Sequence, residues 1–217
     1  MVSFAQLGLF ASASLLLIFT PGPDVLYVMT RGMSQGKKAA LAAAAGFGLG
    51  NLVHTLFAVL GLSALLMSSS MAFQLVKYAG AAYLIYLGIK LFRSHTAIAA
   101  EGNGEAMSCM IIFRQSIIAN VLNPKVAVFF LAFFPQFIDQ VHGNPQLQMI
   151  VLGCVFVILA WAGFSIIGLC SGWIREFFKK NPKTEKRISQ AAGILLVLLG
   201  LKLALSGDTP FAISLSL

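Results

Sequence analysis

The chain has 217 residues, of which 59% are hydrophobic and only 10% charged, and its mean hydropathy is +0.89. A water-soluble domain carries about 25% charged residues, so this composition excludes one: the surplus apolar surface must face lipid. The net charge of +8 does not indicate nucleic acid as a partner, because the basic residues stand at the ends of apolar runs instead of covering one face.

About six or seven spans of roughly 20 residues fit such a chain, and six apolar segments are legible. The first runs from Phe4 to about Thr30 and is interrupted at Pro21-Gly22-Pro23-Asp24. The second covers Ala39 to about Met67, and the third roughly Met71 to Phe92. The fourth is Gln115 to Ile138, broken at Asn123-Pro124-Lys125. The fifth spans about Leu147 to Ile174, and the sixth Ile188 to about Leu205. Helices are expected throughout, since isolated strands leave their backbone unpaired in lipid. The N-terminus lacks a basic leader, so Phe4 to Thr20 reads as a retained first span. Cys109, Cys154 and Cys170 show neither CxxC spacing nor a metal-ligand pattern. They imply no disulfide framework, and no metal or cofactor is expected.

The linkers set an orientation. Arg31, Lys37 and Lys38 lie between segments one and two; Lys90, Arg93 and Arg114 flank the third linker; Arg175, Lys179, Lys180, Lys183, Lys186 and Arg187 crowd the fifth. If all six segments span, 12 of the 15 basic residues fall on one side. The positive-inside rule makes that side cytoplasmic and turns both termini outward, so a bacterial inner-membrane protein with periplasmic termini is expected.

A weak internal repeat overlies this pattern. Pro23-Asp24-Val25 matches Pro124-Lys125-Val126 at an offset of 101, Gly46 and Gly61 match Gly153 and Gly168 at 107, and Gly88-Ile89-Lys90-Leu91 matches Gly200-Leu201-Lys202-Leu203 at 112. Residues 1–92 then form a first three-helix repeat, 93–114 a cytoplasmic linker, 115–206 a second repeat and 207–217 a short tail. Three spans per half require opposite topology. The fold expected is an all-α membrane protein of two inverted repeats with broken helices one and four, an arrangement that points to a transporter site at the breaks.

Asp24 is the only acidic residue in the first 100 positions, and Lys125 holds the repeat-related place. A charge near the bilayer centre costs about 2.5–3.5 kcal/mol on insertion scales and so needs a partner or a wet cavity. Pro21, Pro23 and Pro124 remove backbone donors and free carbonyls, and Gly22 is counted with them as part of the site at the first break. Half-helix N-termini after the breaks favour an anion, so the pair suits a zwitterion. The alternative is structural: Asp24 caps the half-helix beginning at Val25, and Lys125 neutralises it as a fixed ion pair. Gly46, Gly50 and His54 share one helical stripe, either a packing face carrying a hydrogen-bonded histidine or a route for a proton relay. Asn51, Asn120, Asn123 and Gln136 either satisfy freed backbone groups or touch substrate. The 18 phenylalanines read as lipid-facing or packing groups, Trp161 as buried mid-segment, and Trp173 as an interfacial anchor.

Two separated motifs, in order, resemble the LysE/RhtB family of bacterial amino-acid exporters. The first is Thr20-Pro21-Gly22-Pro23-Asp24 with Arg31-Gly32, Gly36, Gly46, Gly50 and His54. The second is Asn120-x-Leu122-Asn123-Pro124-Lys125 with Phe129-Phe130 and Phe134-Pro135-Gln136-Phe137. Tyr78 to Leu84 lies between them. The resemblance covers about Phe4 to Leu205. It implies efflux of amino acids or derivatives from the cytosol, driven by protons, with no enzymatic activity. The implied partners are a small amino-acid substrate, protons and the bilayer, and a homo-oligomer is compatible with it. Lys125 disfavours a strongly cationic substrate, which leaves neutral amino acids or homoserine- and threonine-like derivatives. A thiol-redox carrier would need cysteines at the breaks, and an intramembrane hydrolase a Ser–His or paired-Asp constellation; neither stands there. A channel would differ in showing downhill flux indifferent to protonation.

Overall fold

The computed structural model describes residues 2–62, 70–93, 106–139 and 143–205. The tail 207–217, most of the expected linker 93–114 and the end of the second apolar segment lie outside them. Helices α1 (Phe4–Phe19) and α2 (Pro23–Gln35) form the first segment. Next come α3 (Lys37–Phe57), prolonged by a π turn at Ala58–Leu62, and α4 (Ser70–Arg93). The fourth segment consists of α5 (Cys109–Val121) and α6 (Pro124–Val128), the latter continuing through a π turn at Phe129–Phe133 and a 3-10 turn at Phe134–Phe137. Helices α7 (Pro145–Leu169), α8 (Ser171–Lys180) and α9 (Pro182–Leu205) complete the order. No strand occurs among the described residues.

Four helices are long and apolar enough to cross a bilayer, and six crossings result if each bent pair is one span. The bends are 60° between α1 and α2 and 47° between α5 and α6. Both have the same cause. Pro23 and Pro124 stand in the first turn of the helix after the break, where a missing N–H is harmless. Each also forces the residue before it out of the helical region: Gly22 and Asn123 are both extended.

Three element boundaries differ from the sequence expectation. Helix α5 starts six residues earlier than Gln115, because the Ser108 hydroxyl accepts from the Ile111 amide and caps it there. The fifth segment is not continuous to Ile174, since it ends at Leu169 and α8 begins at Ser171. Helix α9 extends six residues before Ile188, its charged first turns lying outside the apolar run that marks it in the sequence.

Helix α3 is the centre of one packed body, lying against α2, α5 and α7. Its outer stripe Leu49, Leu52, Leu56 and Leu60 remains exposed at helical spacing, as a lipid-facing side requires. Helices α4 and α9 pack mainly on each other. A Cβ at Gly88 would sit 2.5 Å from the Gly193 carbonyl oxygen, and one at Gly200 would sit 2.8 Å from that of Ala81. Only glycine admits this backbone approach, and small residues drive helix pairing where no hydrophobic effect operates.

Aromatic packing closes one end of the body. Phe10 of α1 lies 5.5 Å from Phe134 and 5.2 Å from Phe137, edge to face. Phe129 and Phe130 lie 5.1 and 5.0 Å from Phe156 of α7. These rings are core, not lipid contacts. Trp161, by contrast, is not buried: it is 51% exposed, because its stretch of α7 presents Ala160, Gly163 and Phe164 inward.

Candidate functional site

The two breaks face each other at the heart of this body. Lys125 Nζ lies 2.8 Å from Asp24 Oδ2 and 3.0 Å from Oδ1, both side chains almost wholly buried. The ammonium also donates to the carbonyls of Leu17 and Thr20, each at 3.3 Å. Those carbonyls belong to the last turn of α1, where helix ends leave acceptors without intrahelical donors. The freed backbone groups expected at the first break are therefore ligands of the repeat-related lysine.

Each half-helix start is occupied by a side chain of its own. The Asp24 carboxylate accepts from the Val25 amide at 3.0 Å, and Asn123 Oδ1 accepts from the Lys125 amide at 3.0 Å as the cap of α6. An open anion cradle at both N-termini is not what forms in this conformation. Gly22 leaves room for the pair. A Cβ there would stand 2.9 Å from Asp24 Oδ1 and 3.2 Å from Lys125 Nζ, so glycine keeps the ion pair uncrowded. Pro21 is buried beside it, while Pro23 and Pro124 are exposed at the helix starts.

Next to the pair is a small cavity, roughly large enough for one water, lined by Leu17, Ile18, Asp24, Asn51, Asn120, Lys125, Val126, Phe156 and Phe164. The site is thus occluded. Asn51 and Asn120 are buried to 1% and 0% exposure, and Asn51 Oδ1, Asn120 Oδ1 and Asn120 Nδ2 have no hydrogen-bond partner.

The glycine stripe of α3 positions this wall. A Cβ at Gly50 would come within 2.6 Å of Asn120 Cβ, and one at Gly46 would run into the Phe113 carbonyl. One turn on, His54 Nε2 contacts the Asn120 carbonyl oxygen at 3.1 Å, and its ring stacks on Phe130 at 5.5 Å. Gly46 and Gly50 thus lie packed against α5, and His54, hydrogen-bonded to it, does not line the cavity. Gln136 also lies apart from it. Its amide reaches back to the Ala132 carbonyl at 3.5 Å, within the distorted helix after the second break.

Toward the other end, polar contacts join α2 to α5 and its approach. Tyr27 Oη donates to Gln115 Oε1 at 2.9 Å, Gln35 Nε2 donates to the Met107 carbonyl at 2.8 Å, and Arg31 donates to Gln35 Oε1 at 3.1 Å while lying over the Tyr27 ring. Occlusion is therefore aromatic on the side of α1 and polar on the side of α2. Sequence reasoning assigned no part to Tyr27, Gln115, Phe156 or Phe164, since a lone tyrosine or phenylalanine in an apolar run carries no signal. It also passed over Lys77, a lysine within α4 that is only 3% exposed.

Comparison with known proteins now adds to this geometry. A family model, LysE type translocator, matches residues 15–207. The chain is 35% identical to a homoserine/homoserine lactone efflux protein of Salmonella typhimurium, over 88% of this chain and 92% of that protein. It is 32% identical to an uncharacterized membrane protein of Bacillus subtilis, over 88% and 94% of the two chains. A leucine efflux protein of Klebsiella pneumoniae is 27% identical, over 93% and 98%. No solved structure gives a significant match.

Proposed function

The chain belongs to the LysE type translocator family, and we propose that it is a secondary transporter of the inner membrane that exports neutral amino acids from the cytosol in exchange for protons. The observation that carries this reading is the buried Asp24–Lys125 pair, held at two facing helix breaks beside a small cavity that Asn51 and Asn120 also line. A buried salt bridge is weak evidence of a stability device, because desolvation offsets most of its Coulomb energy. As a substrate site its composition makes sense. The α-carboxylate of a zwitterion takes Lys125, and the α-ammonium takes Asp24 and the Leu17 and Thr20 carbonyls that the lysine releases.

The charge count also supports exchange. Without substrate, Asp24 and Lys125 neutralise each other; with a zwitterion bound, two ion pairs replace one and the site stays neutral. A proton arriving at Asp24 from outside removes the partner of the α-ammonium and favours release. Efflux relatives support the export direction; of their named substrates, homoserine and leucine are neutral amino acids, and homoserine lactone is a derivative without a free carboxylate. The two bent pairs are traversed in opposite directions: α1 shares an end with the segment after Pro124, and α2 shares the other end with α5. That is the arrangement inverted repeats produce.

A second reading has its own support. Lys125 is fully hydrogen-bonded in this conformation, as a permanent structural tie would be. Counterflow of a labelled amino-acid panel in proteoliposomes, with and without a pH gradient, separates the two. Saturable exchange accelerated by an opposing proton gradient is the expected result. Flux that is unsaturable and blind to the gradient would identify a channel, and no flux a structural membrane protein, in either of which the pair is a fixed tie.

A further inference from the structure

We infer that Asn120 and Asn51 determine substrate specificity, reading a hydroxyl on the side chain of the transported amino acid. The inference rests on the exporter reading above and narrows its substrate class. Asp24 and Lys125 can only recognise the α-ammonium and α-carboxylate, which every amino acid carries. Discrimination must come from whatever else faces the same cavity. Most of the remaining lining is apolar, namely Leu17, Ile18, Val126, Phe156 and Phe164; the exceptions are Asn51 and Asn120.

Their unpaired atoms have a definite chemistry. Two are acceptors, Asn51 Oδ1 and Asn120 Oδ1, and one is a donor, Asn120 Nδ2. A hydroxyl both donates and accepts, so one hydroxyl satisfies an acceptor and the donor together. A methyl group in the same place seals all three away from water with nothing gained, and buried polar groups left unpaired are what makes a site reject an analogue.

The presentation of Asn120 looks built rather than incidental. Its main-chain carbonyl is held by the Asn123 amide at 2.9 Å and by His54 at 3.1 Å. Gly50 leaves room for its side chain at a distance no Cβ would tolerate. The backbone is anchored on two sides, and the amide alone remains uncommitted. Asn51 stands on the adjoining α3, its own carbonyl engaged by Thr55 Oγ1 at 2.8 Å.

Isosteric pairs test this directly. Self-exchange of each labelled amino acid is measured in proteoliposomes for threonine and valine, and for homoserine and norvaline; in each pair a hydroxyl is replaced by a methyl of similar size. The wild type should prefer the hydroxyl member at least about tenfold. In Asn120→Leu and Asn51→Leu that ratio should collapse toward one, chiefly through loss of the hydroxyl substrate. A wild type that exchanges both members equally overturns the inference and leaves the exporter standing. So does an unchanged ratio in both variants, which would mean that the two amides are merely hydrated. If no amino acid of any kind exchanges, the exporter reading fails, and this one fails with it.

Discussion

At the residue scale, the decisive fact is that Asp24 and Lys125, 101 positions apart, are in contact. Their correspondence was legible as a repeat offset, but correspondence is not proximity, and only the facing of the two breaks brings them together. Removing one member of a buried pair strands a charge at a cost of about 3–5 kcal/mol, whereas neutralising both is close to even. Lys125→Gln should therefore unfold in detergent at a clearly lower temperature than the wild type, and Asp24→Asn with Lys125→Gln should recover most of that loss. Glycine contributes here as well. Gly50→Ala forces a Cβ to within 2.6 Å of Asn120, while Gly8→Ala in α1 meets nothing within 4 Å. We expect Gly50→Ala to lower both the melting temperature and transport. Gly8→Ala should leave transport intact and the fold unchanged or about 1 kcal/mol firmer, from helix propensity.

At the element scale, the breaks and the apolar segments were readable because proline and hydropathy act locally. Pro23 and Pro124 fix where a helix restarts whatever surrounds them. The restart of α5 at Cys109 was missed because the signal is one serine, Ser108, in front of an apolar run already interrupted by Arg114. The environment of Trp161 was misjudged because hydropathy marks a span without telling its inner from its outer face. Least legible were the contacts between elements, among them the α2–α5 link. A hydrogen bond contributes about 1 kcal/mol, a factor of about five in an opening equilibrium. With Cys109, Cys154 and Cys170 replaced by serine, a Val126→Cys substitution reports access to the cavity. Adding Tyr27→Phe should raise its labelling rate by membrane-permeant thiol reagents about fivefold. An unchanged rate would mean that the link does not restrain opening.

At the scale of the whole molecule, two assemblies are distinguishable: the body around α3, which contains the site, and the glycine-zipped pair of α4 and α9. Helix α3 packs on α7 and α4 on α9, the pairs that the sequence repeat would relate to each other. Charge placement gives that architecture a direction. In the cysteine-free background, an impermeant thiol reagent applied to intact cells should label Gln146→Cys, in the first turn of α7 just after residues 139–144, which hold no lysine or arginine, and spare Lys38→Cys. The reverse labelling would place the basic linkers outside and reverse the direction of the proposed transport cycle.

The central claim is that the Asp24–Lys125 pair opens to receive substrate instead of tying two helices together permanently. Its most direct test is amino-acid counterflow by the doubly neutral Asp24→Asn, Lys125→Gln protein, after its melting temperature and monodispersity have been matched to the wild type. The account predicts a folded protein whose exchange falls at least about tenfold, since binding one zwitterion uses both charges. Exchange retained at the wild-type rate would contradict it and make the pair a structural tie.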